Sequence, residues 1–101
     1  MKVPLIQVDA IPNEGMTHVE FFGRDVLVFK IDGTPKAIMN VCMHLGGPLR
    51  REDDCLVCEW HGAAFDVRDG HRVQGPARKD TRLLALPTRI EDGMLTYVYG
   101  E

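Results

Sequence analysis

Cys42-Met43-His44-Leu45-Gly46-Gly47-Pro48-Leu49 and Cys58-Glu59-Trp60-His61-Gly62-Ala63-Ala64-Phe65-Asp66 are the two stretches that decide how this chain reads. Each short segment supplies one soft thiolate and one imidazole, and each is set in glycine. Thirteen residues separate His44 from Cys58. A single metal centre with two cysteine and two histidine ligands would use all four. A structural zinc module is the competing reading, although mononuclear zinc is normally held by cysteines close together and histidines close together. Pairing one cysteine with one histidine in each segment suits a binuclear centre better, because two neighbouring loops can each give one ligand to either metal. Glycines 46, 47 and 62 allow close backbone approach, having no Cβ.

Outward from these stretches the chain reads as β. Residues Val19–Phe22, Asp25–Ile31 and Lys36–Val41 are rich in β-branched and aromatic side chains, with turn signals at Gly23-Arg24 and Asp32-Gly33. The segments Leu83–Leu86, Thr88–Ile90 and Met94–Tyr99 return to the same pattern around an Asp92-Gly93 turn. Between them, from about residue 41 to 79, glycine and proline break the chain repeatedly. No window sustains helical periodicity over three turns, and no repeat is visible. The expected fold is all-β: a small antiparallel barrel or sandwich in one domain over residues 1–101, with a loop-rich insert at about 41–79 that binds the metal centre.

With 101 residues the chain has room for one core, and metal binding would add to a thin stability margin. Its net charge is −3 and its cations are scattered, which argues against nucleic-acid binding. The N-terminal segment, broken by Pro4 and followed by Asp9, has no apolar run of signal-peptide length, and nothing later reaches transmembrane length. A cytoplasmic protein without membrane contact is expected. An odd count of three cysteines points to metal or redox chemistry, not to a disulfide frame.

The two stretches resemble the two ligand boxes of the Rieske [2Fe–2S] proteins. Asp69-Gly70 and Gly75-Pro76-Ala77 are similar to the turn and proline loop that cover the cluster in that family, and Leu86–Gly93 to its closing hairpin. The resemblance implies one Rieske-type [2Fe–2S] cluster on Cys42, His44, Cys58 and His61, two cysteines on one iron and two histidines on the other. It also implies that His44 and His61 bind through Nδ1 and leave their outer edges near solvent, inside an apolar collar of Met43, Leu45, Pro48, Trp60 and Pro76. The hairpin between the boxes is shorter than the family usually has, which predicts an exposed charged turn at Arg51–Asp54.

High-potential members carry two further cysteines, where Gly47 and Trp60 stand here, and a serine donating to a cluster sulfide, where Ala63 stands. Fewer hydrogen bonds to sulfur destabilise the reduced cluster, so the expected potential is about −150 mV, toward the low end of the Rieske range. The resemblance then implies a ferredoxin component of ring-hydroxylating oxygenase systems: a monomeric one-electron carrier, not an enzyme, between a flavin-dependent reductase and a terminal oxygenase. A small subunit of a larger reductase, such as nitrite reductase, is the alternative.

The remaining residues have plainer readings. Cys55 forms Cys-x-x-Cys with Cys58 but is expected to be packing. His18 and His71 are expected on the solvated surface, as are Arg50, Arg51, Arg78, Lys79 and Arg82, for which steering a partner is the minority reading. Trp60 is read equally as a core aromatic or as a cluster-shielding and docking residue.

Overall fold

The computed structural model describes residues 1–40, 48–60, 62–75 and 82–99. Among the described residues, ten strands are antiparallel in three sheets, with one short 3-10 turn at Val8–Ala10. The all-β expectation holds. The chain divides into two compact units, Met1–Met39 with Leu86–Glu101, and Asn40–Ala85.

In the first unit, β1 (Lys2–Gln7), β10 (Met94–Val98) and β9 (Thr88–Glu91) form one sheet, with β10 central. The other sheet is β2 (Thr17–Phe21), β3 (Arg24–Ile31) and β4 (Thr34–Met39), with β3 central. Two tight hairpins follow from the dipeptides read in the sequence. Asp32-Gly33 and Asp92-Gly93 both hold positive φ at both positions, as a type I′ turn requires. The β2–β3 turn falls at Phe22-Gly23, one residue earlier than the sequence suggested, and Phe22 adopts φ 51° despite its bulk. Val26, Leu27, Val28 and Phe29 are consecutive and all fully buried, so β3 is covered on both faces. Phe21 bridges the two sheets through an edge-to-face contact with Tyr97, ring centroids 4.8 Å apart.

The sequence pattern does not delimit strand β1, because Pro4 interrupts it. The structure accommodates Pro4 on an edge strand, where a missing N–H is tolerated, and the ladder shifts register between Pro4 and Ile6. The expected strand at Leu83–Leu86 is absent. Leu83 N–H donates to Gly70 O and Leu86 N–H to Ala37 O, so this segment spends its hydrogen bonds on separate neighbours instead of a ladder. Of its apolar residues Leu83 is the buried anchor, while Leu84 is exposed.

The second unit holds one four-stranded meander, β5 (Leu49–Glu52), β6 (Cys55–Cys58), β7 (Ala64–Asp66) and β8 (Arg72–Gln74). Its core is Leu49, Leu56, Val57, Phe65, Val67 and Leu83, with Leu56 and Phe65 fully buried. The short hairpin between β5 and β6 turns at Asp53-Asp54, with Asp53 at φ 52°. Glu52, Asp53 and Asp54 are exposed there, matching the expected charged turn.

Candidate metal centre

The antiparallel register sets the site. Leu49, the first residue of β5, pairs directly with Cys58, the last residue of β6. The last residue of the first box and the first ligand of the second box therefore meet at one end of the sheet. Two more hydrogen bonds fix that end. Leu49 N–H donates to the Asn40 side-chain oxygen (2.9 Å), which ties the chain before the first box to the last residue of that box. Glu59 N–H donates to Pro48 O (2.9 Å), which ties the second box to the end of the first.

From Cys58 the chain makes a tight turn back into β7. Cys58 N–H donates to Ala63 O and Gly62 N–H donates to Cys58 O, both at 2.9 Å, and Gly62 takes φ 78°. Four residues, Glu59 to Gly62, span the turn. Trp60 stands out from it at 66% exposure, so it is a surface residue and not part of the core. Cys58 at the base is completely buried and its thiol is free.

A third segment closes on this turn. Gly75, just after β8, has φ 102°, and a Cβ on it would lie 2.6 Å from Ala63 Cα and 3.2 Å from Gly62 O. Only glycine fits there. The Arg72 guanidinium reaches forward and donates from one terminal nitrogen to Gly75 O at 3.1 Å.

Of the four expected ligands, Cys58 is thus placed, while Cys42, His44 and His61 lie outside the described residues. So do Met43, Leu45, Gly46 and Gly47 of the first box, and residues 76–81, which include Pro76, Arg78 and Lys79. Among the described residues no group of three or more His, Cys, Asp or Glu side chains could hold a metal ion, so none competes with the two boxes.

Cys55 and Cys58 are three residues apart on one strand, so their side chains leave on opposite faces and do not form a dithiol. Burial pushes the Cys55 thiol up, and the carboxylates of Asp66, Asp54, Asp53 and Glu52 push it further. A reactive cysteine needs the reverse surroundings. His18 sits on the surface of the first unit with Nδ1 2.8 Å from Asp25. His71 is exposed and bridges Arg82 through the backbone, while its N–H donates to the Asp69 carboxylate at 2.9 Å. That hydrogen bond holds the Asp69 carboxyl below its ordinary value. Arg50 pairs with Glu52 at 3.2 Å, and Arg51 Nε donates to Asp53 O. These residues serve their own hairpins.

The chain matches the Rieske [2Fe-2S] domain over residues 1–88. It belongs to that family. The cofactor is accordingly one Rieske-type [2Fe–2S] cluster, and the structural zinc module is set aside. The described residues fit it: a buried, unbridged thiol at the base of a glycine-containing turn, hydrogen-bonded to the end of a second loop. The ferredoxin component of the naphthalene 1,2-dioxygenase/salicylate 5-hydroxylase systems of a Ralstonia species is 29% identical over 90 residues, covering 84% of this chain and 83% of that one. The Rieske fold itself superposes on a Sphingomonas yanoikuyae B1 ferredoxin with TM-score 0.81 at 23% identity, covering 96% and 97% of the two chains. A protein assigned as a nitrite reductase (NADPH) small subunit aligns over 98% of this Rieske domain and 99% of its own length, with TM-score 0.71 at 18% identity.

Asn40, Arg72 and Gly75 were not singled out by the sequence reading for what they do here. Asn40 lies two residues before the first box, and an Asn there is a signal for a side-chain-to-backbone bond. The Arg72 contact has no local signature.

Proposed function

We propose that this Rieske protein is a one-electron carrier of the ring-hydroxylating oxygenase type, taking electrons from a flavin-dependent reductase and passing them to a terminal oxygenase. Its ligands are Cys42, His44, Cys58 and His61, and its cluster-binding subdomain is the stretch of about 41–79 within a single functional domain. The observation that carries the ligand set is the Leu49–Cys58 pairing with the Glu59–Pro48 hydrogen bond, since both bring the ends of the two boxes together. The carrier role rests on the ferredoxin components to which the chain is similar.

When bound, the cluster supplies a reversible one-electron couple. The chain's own residues do the rest. Cys58 gives a thiolate from a dry position, which excludes solvent from that side of the site. The backbone bonds from Cys58 to Ala63 and from Gly62 to Cys58 hold the position of Cys58. Ala63 has no hydroxyl to donate to a sulfide, in keeping with a low potential. Trp60 offers an exposed aromatic face for transient docking, where little area is buried and release must be quick. We take the protein to be monomeric and cytoplasmic. No described helix is long and apolar enough to cross a membrane.

The test is reconstitution with the reductase and oxygenase of an aromatic-ring dioxygenase system. Substrate turnover should require this protein and stop when it is omitted, while the protein alone turns over nothing. Isolation as a fixed, stoichiometric subunit of a larger reductase would favour the nitrite-reductase-like alternative.

A further inference from the structure

Arg72 is an odd residue for its position. It lies on β8, the outer strand of the second sheet, opposite Phe65 of β7. One terminal guanidinium nitrogen donates to Gly75 O at 3.1 Å, yet the Nε–H is buried and has no acceptor among the described residues. A buried donor left unmade is a cost that an apolar or shorter side chain would avoid. What the arginine gains is reach. It extends toward the end of the sheet where β6 finishes at Cys58 and holds the carbonyl of Gly75 there.

Gly75 is in turn wedged against the second box. Its Cα packs so closely on Ala63 that no Cβ fits between them, and Ala63 O is the acceptor for Cys58 N–H. A line of contacts therefore runs from Arg72 through Gly75 and Ala63 to a cluster ligand. It leaves a permanent cation directed to the same end of the sheet.

We propose that Arg72 is a positioning residue for the cluster: by holding Gly75 against Ala63 it braces the turn that carries Cys58, and its charge favours the reduced state. The inference rests on the ligand reading given above. The extra electron makes the reduced cluster more negative, so a cation at that end of the sheet would stabilise that state and raise the potential. Part of the low potential expected from Ala63 is thereby offset.

The test uses the purified holoprotein, its midpoint potential read by redox titration and its iron release to a chelator read by absorbance. R72M should lower the midpoint and speed iron release several-fold. R72K, which keeps both charge and donor, should restore the wild-type midpoint. R72M with unchanged midpoint and unchanged release would overturn the proposal. Should R72M hold no iron at all, R72K decides: retention at the wild-type midpoint supports the role, and loss of iron from R72K as well contradicts it. A wild-type protein lacking the spectrum of a histidine- and cysteine-ligated cluster would instead defeat the underlying ligand reading.

Discussion

The Asn40 side-chain oxygen accepts a 2.9 Å hydrogen bond from the backbone N–H of Leu49, linking the chain before the first box to its last residue. Leu49 itself is buried and paired with Cys58, so its N–H has no easy access to water. Replacing Asn40 by Leu should strand that donor at about 1–3 kcal/mol. The check is thermal or denaturant unfolding of the holoprotein, together with iron content. A variant as stable as wild type would mean that the Leu49 N–H finds another partner.

Gly75 is expected to tolerate no side chain. In Gly75→Ala the new methyl would meet the Ala63 backbone at 2.6 Å, and alanine would have to adopt φ 102°. Strain of this kind costs about 1–3 kcal/mol. The loss should appear as lower stability and faster iron release. By contrast, Gly33→Ala places its methyl in open space, so only its φ of 81° is penalised and the cluster should be unaffected.

The two described cysteines should behave oppositely. Cys58→Ser should abolish the native cluster, and Cys55→Ser should leave it bound. Because burial and four carboxylates raise the Cys55 thiol above its reference value of 9.0, its alkylation at neutral pH should be slower than that of a free cysteine and should speed up only in strongly alkaline buffer. The linkage has a definite sign. The unfolded chain loses this proton first, so any stability contributed by protonated Cys55 is complete below about pH 9 and declines as pH rises beyond it. Rapid alkylation of Cys55 at pH 7 in the folded protein would contradict this.

Trp60 is two-thirds exposed at the tip of a turn whose backbone is fixed by three hydrogen bonds, so removing its ring should disturb docking more than folding. Trp60→Ala should slow electron transfer to the oxygenase by about tenfold, the equivalent of roughly 1.4 kcal/mol of lost contact. Its iron content and unfolding midpoint should match wild type. Equal transfer rates would move the docking surface elsewhere.

Much of this structure is legible in the sequence where local chemistry dominates. Asp32-Gly33 and Asp92-Gly93 announce their hairpins because few other dipeptides accept positive φ twice in succession. The two boxes are visible because cysteine and histidine in glycine-rich surroundings have few other uses in combination. What stays hidden depends on partners distant in sequence. Strand β1 is masked by Pro4, whose missing N–H is harmless only because the strand lies at a sheet edge. Leu83 to Leu86 looks like a strand because it is apolar, yet its amides bond to Gly70 and Ala37. The Arg72–Gly75 contact and the close approach of Gly75 to Ala63 arise from sheet register, which no short window contains. Trp60 was undecided between core and surface for the same reason: its exposure follows from the length of the turn.

The central claim is that two histidines and two cysteines, one pair from each box, hold the cluster. The most direct test is the reduced-state EPR spectrum of anaerobically purified protein carrying 15N-labelled histidine, with nitrogen couplings resolved by a pulsed method. The account predicts a lowered average g value and coupling to two imidazole nitrogens, both lost on substitution of His44 and His61. A spectrum of all-cysteine ligation without nitrogen coupling, or a colourless zinc protein with no iron signal, would contradict it.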